Sequence, residues 1–210
     1  MIKISYPINL ELTGKSCAVI GGGKVALRKI RGLLETGARV KVIAPEVCTE
    51  IESLRREIIL LREKFSPEMI DDEILIIAAT DNPEVNQQVT AAAHDKNILV
   101  NNVNGGGDFD IPSRIRHGDF LLTISTGANS PAFSKFVRLM LENELGENFG
   151  TGLALIARRR QEVKKILPNP NARKNFWRDI LTSETWAMLK SGRLDELEAK
   201  INHALESYRA

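Results

Sequence analysis

The amino-acid sequence predicts an α/β fold, in which a doubly wound, Rossmann-type domain with a parallel sheet precedes a smaller helical domain. Three observations lead to this prediction. In the first half of the chain, short runs that are apolar throughout alternate with helix-like or turn-rich stretches, as is typical of parallel strands buried on both faces. A glycine-rich turn directly follows the first of these runs. From Glu147 onward nearly the whole pattern is helical.

The first half of the chain contains five predicted strands. They are CAVIG at 17–21, VKVIA at 40–44, IILLR at 58–62, ILIIAAT at 74–80 and ILVNNV at 98–103. Because none of these runs alternates strictly between apolar and polar residues, we expect helices to cover both faces of their sheet. The doubly wound domain is predicted to end near Pro112.

The pattern changes after that boundary. The segment DFLLTIST at 119–126 predicts one more strand, and 130–145 predicts a helix. Ser130 is its expected N-cap and Pro131 its first residue, since proline is favoured at that position. Beyond residue 147 we expect two or three helices, broken around 167–171 and near 190–196.

Composition narrows the range of functions. The 210 residues include 29 Lys and Arg against 27 Asp and Glu, a formal charge of +2, so no overall field favours nucleic acid or a membrane surface. No apolar run reaches the roughly 18 residues of a membrane span, and the N-terminal segment lacks the apolar stretch of a signal peptide. Two cysteines without CxxC spacing and three histidines predict no metal site and a reduced, cytoplasmic, unprocessed chain.

The turn after the first strand has the form G-x-G-x-x-A, from Gly21 to Ala26. In a dinucleotide site the first glycine permits the tight turn, the second lets the backbone approach a pyrophosphate, and the last position must be small. The start of the following helix offers free N–H groups to that phosphate. The predicted pyrophosphate-binding residues are Gly21, Gly22, Gly23, Lys24 and Val25. The alternative is an ordinary glycine-rich turn between a strand and a helix.

The end of the second predicted strand departs from a typical NAD site. Such sites carry an acidic residue there, about 20 residues after the turn, that binds the ribose hydroxyls. Here Ala44 and Pro45 occupy that place, and Glu46 follows. We therefore expect Pro45 and Glu46 near the adenosine ribose of NAD. Arg39 and Lys41, in or beside the same strand, leave NADP open as the cofactor.

The fourth strand ends at Thr80, Asp81 and Asn82, and a helix follows. Strand ends at the carboxyl edge of such a sheet line the ligand crevice, so these residues are placed to contact the cofactor. Asp81 and Asn82 can alternatively cap the helix that contains Pro83. Both roles are compatible with each other.

Together these segments resemble a known family. CAVIGGGKVALRKIRGLLETGARVKVIAPE, AATDNPEVNQ, ILVNNVN and FLLTISTGANSPAFSKFVRLMLE are similar to the precorrin-2 dehydrogenase family, the NAD-dependent module of siroheme synthases. The resemblance is strong over most of residues 1–145. Ordinary dinucleotide domains do not carry the STGANSP loop.

The resemblance implies oxidation of precorrin-2 to sirohydrochlorin, with a hydride passed to NAD; some members also insert ferrous iron. It also implies a homodimer. On this basis the domains are 1–112 for NAD binding, 113–145 for dimerisation and 146–210 for the helical C-terminal domain. A chain of 210 residues is not expected to carry the methyltransferase domain of fused siroheme synthases.

The substrate implied by this resemblance is a tetrapyrrole with several carboxylates, which needs positive groups and backbone donors. Arg114 and His117 follow the NAD domain and are expected to face it. Ser125, Thr126 and Gly127 lie where a strand end meets a helix start, a geometry that binds carboxylates. The alternative is a structural turn in which Ser130 simply caps the helix.

The sequence departs from the family at the expected general acid or base. Many members have an aspartate in an N-x-x-D motif, whereas the matching residues here run from Asn101 to Asn104. An amide at Asn104 cannot take up a proton near neutral pH. Either Asp108 or Asp110, in a loop made free by glycines 105–107, replaces the aspartate, or no protein base is essential and the proton leaves to water or a substrate carboxylate. Asn104 and Asp108 are the catalytic candidates.

The missing aspartate also weakens the expectation of iron insertion, because chelation needs a base for the pyrrole protons. We therefore expect a dehydrogenase that relies on a separate ferrochelatase as its partner. Two other functions remain open: a bifunctional dehydrogenase and ferrochelatase, and a non-catalytic regulatory module that senses NAD. A sensor would not need the STGANSP loop with basic residues nearby.

Overall fold

A computed structural model describes residues 5–127 and 129–208, and this part of the chain forms a parallel sheet and a two-stranded antiparallel sheet. The parallel sheet has the strand order β3-β2-β1-β4-β5. Its strands are β1 (Ser16–Ile20), β2 (Arg39–Ile43), β3 (Ile58–Leu61), β4 (Leu75–Ala78) and β5 (Leu99–Asn102). The predicted doubly wound fold is confirmed, and the strand order reverses between β1 and β4, where such sheets bind ligands.

Helices cover both faces of this sheet. They are α1 (Lys24–Leu34), α2 (Thr49–Ser53) and α3 (Pro83–Asp95), and a 3-10 turn spans Pro67–Met69. On α1 the buried residues Ala26, Ile30 and Leu33 recur at helical spacing and pack with Cys17 and Val19 of β1. The alternate residues of β1, Ala18 and Ile20, pack on the opposite face with α3. A strand buried on both faces has no polar face, which explains the uninterrupted apolar runs.

The chain divides into two compact units, residues 1–111 and 112–210. The boundary lies one residue from the predicted Pro112. The second unit contains a hairpin and a set of helices. Its elements are β6 (Ser113–His117), β7 (Phe120–Ile124), α4 (Pro131–Leu145), α5 (Asn148–Ile166), α6 (Pro170–Ile180), α7 (Ser183–Ser191) and α8 (Leu194–Ser207).

Two elements of the second unit differ from the sequence-based prediction. Strand β6 was not predicted, because Ile115 is its single apolar residue and the remainder reads as a polar loop. The described part after residue 147 holds four helices rather than two or three, since the chain also breaks at Leu181 and Thr182, where neither glycine nor proline marks the end. The start of α4 is as predicted: the Ser130 hydroxyl accepts from the Phe133 N–H at 3.2 Å. Within the described ranges no helix is both long and apolar enough to cross a bilayer.

Candidate functional site

Gly21 directly follows β1 in a conformation that favours glycine. Its φ is 133°, in the region that other residues rarely adopt, and its N–H donates to the Ile43 carbonyl at 3.0 Å. A Cβ at this position would overlap the Ala79 carbonyl at the end of β4. The first glycine of the motif is therefore required both by its backbone conformation and by the close approach of β4.

Gly22 packs against the segment that follows β2. A Cβ on Gly22 would overlap the Glu46 carbonyl, and the Gly22 carbonyl accepts from the Cys48 N–H at 2.9 Å. This glycine lets the predicted pyrophosphate turn and the predicted ribose-binding segment touch through their backbones. Gly22 thus contacts other protein atoms, whereas Gly23 is expected to contact the cofactor.

Gly23 faces open space at the start of α1. A Cβ there would have no described atom within 4 Å. Gly23 is the N-cap of this 11-residue helix, and no side chain of the described residues caps it. The first-turn N–H groups, including those of exposed Lys24 and Val25, are left without intrahelical partners. Open space beside uncapped amides and a positive dipole end fits the pyrophosphate of a dinucleotide.

Pro45 and Glu46 are exposed just beyond the carboxyl end of β2, and their place near the adenosine ribose stays a prediction. Arg39 and Lys41, the two basic residues that left NADP open as the cofactor, do not lie beside Glu46. Arg39 is the first residue of β2, at the amino edge of the sheet, and Lys41 forms an ion pair with Glu73. Neither lies with Glu46 at the carboxyl edge, so the argument for NADP from these two residues does not hold.

Thr80 and Asn82 lie at the carboxyl edge next to Gly21, but their side chains bind protein groups. The Asn82 Oδ1 caps α3 by accepting from the N–H of Glu84 at 2.8 Å, the alternative role that the sequence left open. The Thr80 hydroxyl lies 2.8 Å from the Asn86 Oδ1 and 3.0 Å from the Asn82 carbonyl. Asp81 is exposed beside them.

Asn86 was not among the predicted site residues, although it connects two loops at this edge. It lies on α3, is fully buried, and bonds to both Thr80 and Asn104. It falls at helical spacing with the buried Val89 and Ala93. A polar residue on the apolar stripe of a helix was the signal that could have identified it, because buried polar groups need partners.

Asp108 lies beside the middle of β5. Its carboxylate accepts from the Val100 N–H at 2.9 Å and lies 3.0 Å from His94 Nε2, near the C-terminal end of α3. The freedom expected of its loop is limited, because Gly107 packs so closely on β5 that a Cβ would overlap the Val100 carbonyl. A catalytic role for Asp108 stays a prediction, and its hydrogen bonds indicate a structural one.

The predicted substrate residues fall in the second unit, at different ends of the β6–β7 hairpin. Arg114 pairs with Thr123 near the open end, whereas His117 pairs with Phe120 beside the turn. His117 packs against α5, where a Cβ on Gly150 would overlap its carbonyl. The hairpin therefore does not bring His117 together with Ser125–Gly127.

The segment after β7 binds largely to itself. The Thr126 hydroxyl lies 3.0 Å from the Ser134 hydroxyl, and the Gly127 N–H donates to the Ser125 Oγ at 3.2 Å. The first contact joins the segment to α4, and the second lies within the segment. Ala128, in the centre of the STGANSP loop, is outside the described residues. A carboxylate-binding role for this segment stays a prediction.

A doubly wound sheet with a bare glycine turn and an uncapped helix start at its switch point defines a dinucleotide-binding protein. The chain belongs to the NAD(P)-binding family, whose model matches residues 8–113. The model of the sirohaem synthase dimerisation region matches residues 149–205. The dimerisation segment expected at 113–145 lies outside this match and stays a prediction. The resemblance to the precorrin-2 dehydrogenase family is confirmed.

Similar proteins include siroheme synthases and a precorrin-2 dehydrogenase of solved structure. The siroheme synthase of Photorhabdus laumondii is 33% identical over 204 residues, 95% of this chain and 43% of the relative. That of Methylococcus capsulatus is 36% identical over 206 residues, 96% and 43% of the two chains. The structure of SirC, precorrin-2 dehydrogenase, superposes with a TM-score of 0.78 at 26% identity, covering 95% of this chain and 100% of that one. The chain spans less than half the length of these siroheme synthases.

Proposed function

We propose that this protein oxidises precorrin-2 to sirohydrochlorin with NAD as the acceptor. The observation that carries the proposal is the similarity to SirC, precorrin-2 dehydrogenase, over the whole length of that chain. In this reaction the tetrapyrrole loses a hydride and a proton, and the products are sirohydrochlorin, NADH and H⁺. The nicotinamide ring, when bound, supplies the hydride acceptor.

The residues of the first unit hold and orient the dinucleotide. The N–H groups at the start of α1, beside Gly23, would donate to the pyrophosphate, and the exposed Glu46 carboxylate would accept from the ribose hydroxyls. Thr80 and Asn82, whose backbone N–H groups are hydrogen-bonded to Asn86 and to the Thr80 hydroxyl, would shape the opposite side of the crevice. Asn104 follows the carboxyl end of β5, the strand next to β4 on the side away from β1.

The proton does not require a base on the protein. Asn104 carries an amide, and the Asp108 carboxylate is held by Val100 and His94. We infer that orientation of the substrate is the main contribution of the protein and that the proton passes to water or a substrate carboxylate. Arg114, His117, Ser125, Thr126 and Gly127 remain the proposed substrate-binding residues.

The deciding experiment is turnover of precorrin-2 by purified protein with NAD and with NADP. Formation of NADH at 340 nm and of sirohydrochlorin in equal amounts is expected with NAD. Tight NAD binding without turnover would favour the NAD-sensing module instead. If the protein neither binds NAD nor turns over precorrin-2, the assignment of NAD as its cofactor is overturned.

A second candidate function is iron insertion in addition to oxidation, favoured by the similarity to siroheme synthases. Against it stands Asn104, since an amide cannot accept the pyrrole protons. We propose that a separate ferrochelatase consumes the product. With sirohydrochlorin and ferrous iron, the protein should form siroheme no faster than an enzyme-free control, and robust chelation would establish the bifunctional enzyme.

We propose a homodimer as the working form. The match to a sirohaem synthase dimerisation region supports this assembly. Apolar side chains are also exposed along α4, where Phe133, Phe136 and Met140 recur at helical spacing. A cytoplasmic location completes the proposal, and the free thiols of Cys17 and Cys48 suit a reducing compartment.

A further inference from the structure

We propose that Asn86 is a positioning residue that turns the Asn104 carboxamide so that its NH₂ group faces the ligand crevice. Position 104 would then act as a hydrogen-bond donor toward a ligand oxygen, not as a proton acceptor. The inference rests on the proposed function and deepens it, because it assigns a role to the residue at the position where relatives carry an aspartate.

The orientation of Asn86 follows from two backbone groups that have fixed roles. The Thr80 N–H can only donate, and it lies 3.0 Å from one side-chain atom of Asn86, which must therefore be Oδ1. The Thr80 carbonyl can only accept, and it lies 3.0 Å from the other atom, which must be Nδ2. The two contacts agree, and they exclude the flipped amide.

The orientation of Asn104 then follows from that of Asn86. The Asn86 Nδ2 has a second hydrogen, and it lies 2.5 Å from a side-chain atom of Asn104. A donor requires an acceptor, so this atom is Oδ1 and the Asn104 NH₂ group points the other way. Among the described residues no acceptor pairs with that NH₂ group, and Asn104 is exposed.

The backbone of Asn104 is held as well. Its N–H donates to the Asn102 Oδ1 at 2.9 Å, and Asn102 is itself buried and donates to the Thr90 hydroxyl at 3.1 Å. Hydrogen bonds at both the backbone and the side chain leave the carboxamide little freedom to rotate. A preorganised donor of this kind binds an oxygen without first losing conformational entropy.

The ligand chemistry that fits is an oxygen acceptor of a carboxamide or a carboxylate. Two sources have it: the carboxamide of the nicotinamide ring and the carboxylates of a tetrapyrrole. An aspartate at position 104 would also accept from Asn86, but its second oxygen would present an acceptor to the crevice. The same geometry therefore recognises opposite groups depending on whether residue 104 is an amide or an acid.

The experiment compares Asn104→Ala and Asn104→Asp with the natural protein in binding of NAD and of ADP-ribose, which lacks nicotinamide. A bond to the nicotinamide carboxamide predicts that Asn104→Ala weakens NAD binding by about 3- to 10-fold and leaves ADP-ribose unchanged. A bond to a substrate carboxylate predicts unchanged binding of both and a KM for precorrin-2 raised by about 10- to 100-fold. If the ligand oxygen belongs to a substrate carboxylate, Asn104→Asp should raise the KM at least as much as Asn104→Ala, because an acceptor then meets an acceptor. The carboxamide of nicotinamide can instead turn its NH₂ group toward an aspartate.

The role of Asn86 is tested by coupling. In an Asn86→Asp background, Asn104→Ala should cause little further loss, whereas in Gln88→Ala, which alters an exposed residue of the same helix, the full loss should persist. Should Asn86→Asp fail to fold, the side-chain amide resonance of Asn86 is followed by NMR in Asn104→Ala. This resonance is expected to shift, because the substitution removes one of the two acceptors of the Asn86 NH₂ group.

Two results would overturn the inference: no change in either binding or KM for Asn104→Ala, or an unshifted Asn86 amide resonance. Binding and NMR need no precorrin-2, so failure of the protein to oxidise precorrin-2 is distinguishable from failure of this inference. Conversely, if the natural protein oxidises precorrin-2 normally and Asn104→Ala changes nothing, this inference is overturned and the proposed function stands.

Discussion

Lys41 and Glu73 form a buried ion pair in the first unit, with Nζ and Oε1 2.5 Å apart. The Glu73 side chain has no exposed surface, and that of Lys41 is 22% exposed. The Asp71 N–H donates to the other carboxylate oxygen at 2.8 Å, and Lys41 also donates to the Met69 carbonyl. Burial raises the pKa of Glu73, but Lys41 and the Asp71 N–H outweigh burial and hold that pKa below its ordinary value.

Replacing Glu73 by Gln should lower the free energy of unfolding by about 3 kcal/mol near neutral pH, because Lys41 loses its partner inside the protein. Because the pKa of Glu73 is lower in the folded state, the ionised carboxylate stabilises the fold at pH values above the ordinary pKa of 4.5. This contribution is lost as the pH falls through the folded-state pKa. Urea denaturation as a function of pH measures both effects, and Glu73→Gln should flatten the acid side of the curve.

The control is Glu52→Gln, which removes the partner of Arg62 in an exposed pair and should change stability by less than about 1 kcal/mol. Equal losses in the two variants would show that the burial of Glu73 contributes nothing.

Gly22→Ala and Gly23→Ala should separate folding from cofactor binding. A Cβ on Gly22 meets the backbone of Glu46, so this variant should lose about 1 to 3 kcal/mol of stability. A Cβ on Gly23 meets open space, and its φ of −90° suits any residue, so this variant should keep its Tm. It should nevertheless bind NAD at least about 10-fold more weakly, because the methyl group occupies the place of the pyrophosphate. Calorimetric unfolding and titration with NAD measure both quantities, and undiminished affinity in Gly23→Ala would remove this turn from the cofactor site.

NAD should bind at least about 10-fold more tightly than NADP, since in the proposed site the Glu46 carboxylate would accept from ribose hydroxyls and repel a 2′-phosphate. Glu46→Ala should lower the ratio of the NAD affinity to the NADP affinity, chiefly by weakening the binding of NAD. Glu57→Ala, which alters another exposed glutamate of the same unit, is the matched control and should leave the ratio unchanged. Equal affinity for both nucleotides in the natural protein would mean that Glu46 does not select.

Asp108→Ala should retain dehydrogenase activity within about 10-fold, because its carboxylate is occupied by Val100 and His94; a general base typically contributes about 10²- to 10⁴-fold. The same variant should lose about 1 to 2 kcal/mol of stability, since the Val100 N–H is left without its acceptor. Asp110→Ala, in the same exposed loop, serves as the stability control. A loss of activity above about 100-fold in folded Asp108→Ala that still binds NAD would instead assign Asp108 as the proton acceptor.

Phe136→Glu should dissociate the proposed homodimer. Phe136 is 56% exposed on α4, close to the ring of Phe133, and a buried charge at an interface is costly. Lys135→Glu changes an exposed neighbour on the same helix and should leave the mass unchanged. Light scattering coupled to size exclusion measures the mass, and an unaltered dimer in Phe136→Glu would place the interface elsewhere.

The sheet could be predicted from the sequence because its central strands, β1 and β4, carry buried apolar residues on both faces, a local property. The glycine turn was predictable for the same reason, since Gly21 to Ala26 are contiguous. Asn86 and Asn104 are 18 positions apart, and their contact depends on the pairing of β4 with β5, which no local pattern encodes. The contact of Asp108 with Val100 was hidden because three glycines before it suggested freedom, whereas one of them packs against the strand.

The position of Asp108 also bears on solubility. Strand β5 is an edge of the parallel sheet, and an uncovered edge can pair with a strand of another molecule. Here Val100 exchanges two hydrogen bonds with Asp108, from its N–H to the carboxylate and from the Asp108 N–H to its carbonyl at 2.7 Å. The Ile98 N–H donates to Ala93, and the Asn102 carbonyl accepts from Gly105. The loop that was expected to supply a proton acceptor thus covers the outer edge of the sheet, where it hinders strand-to-strand aggregation between copies of the protein.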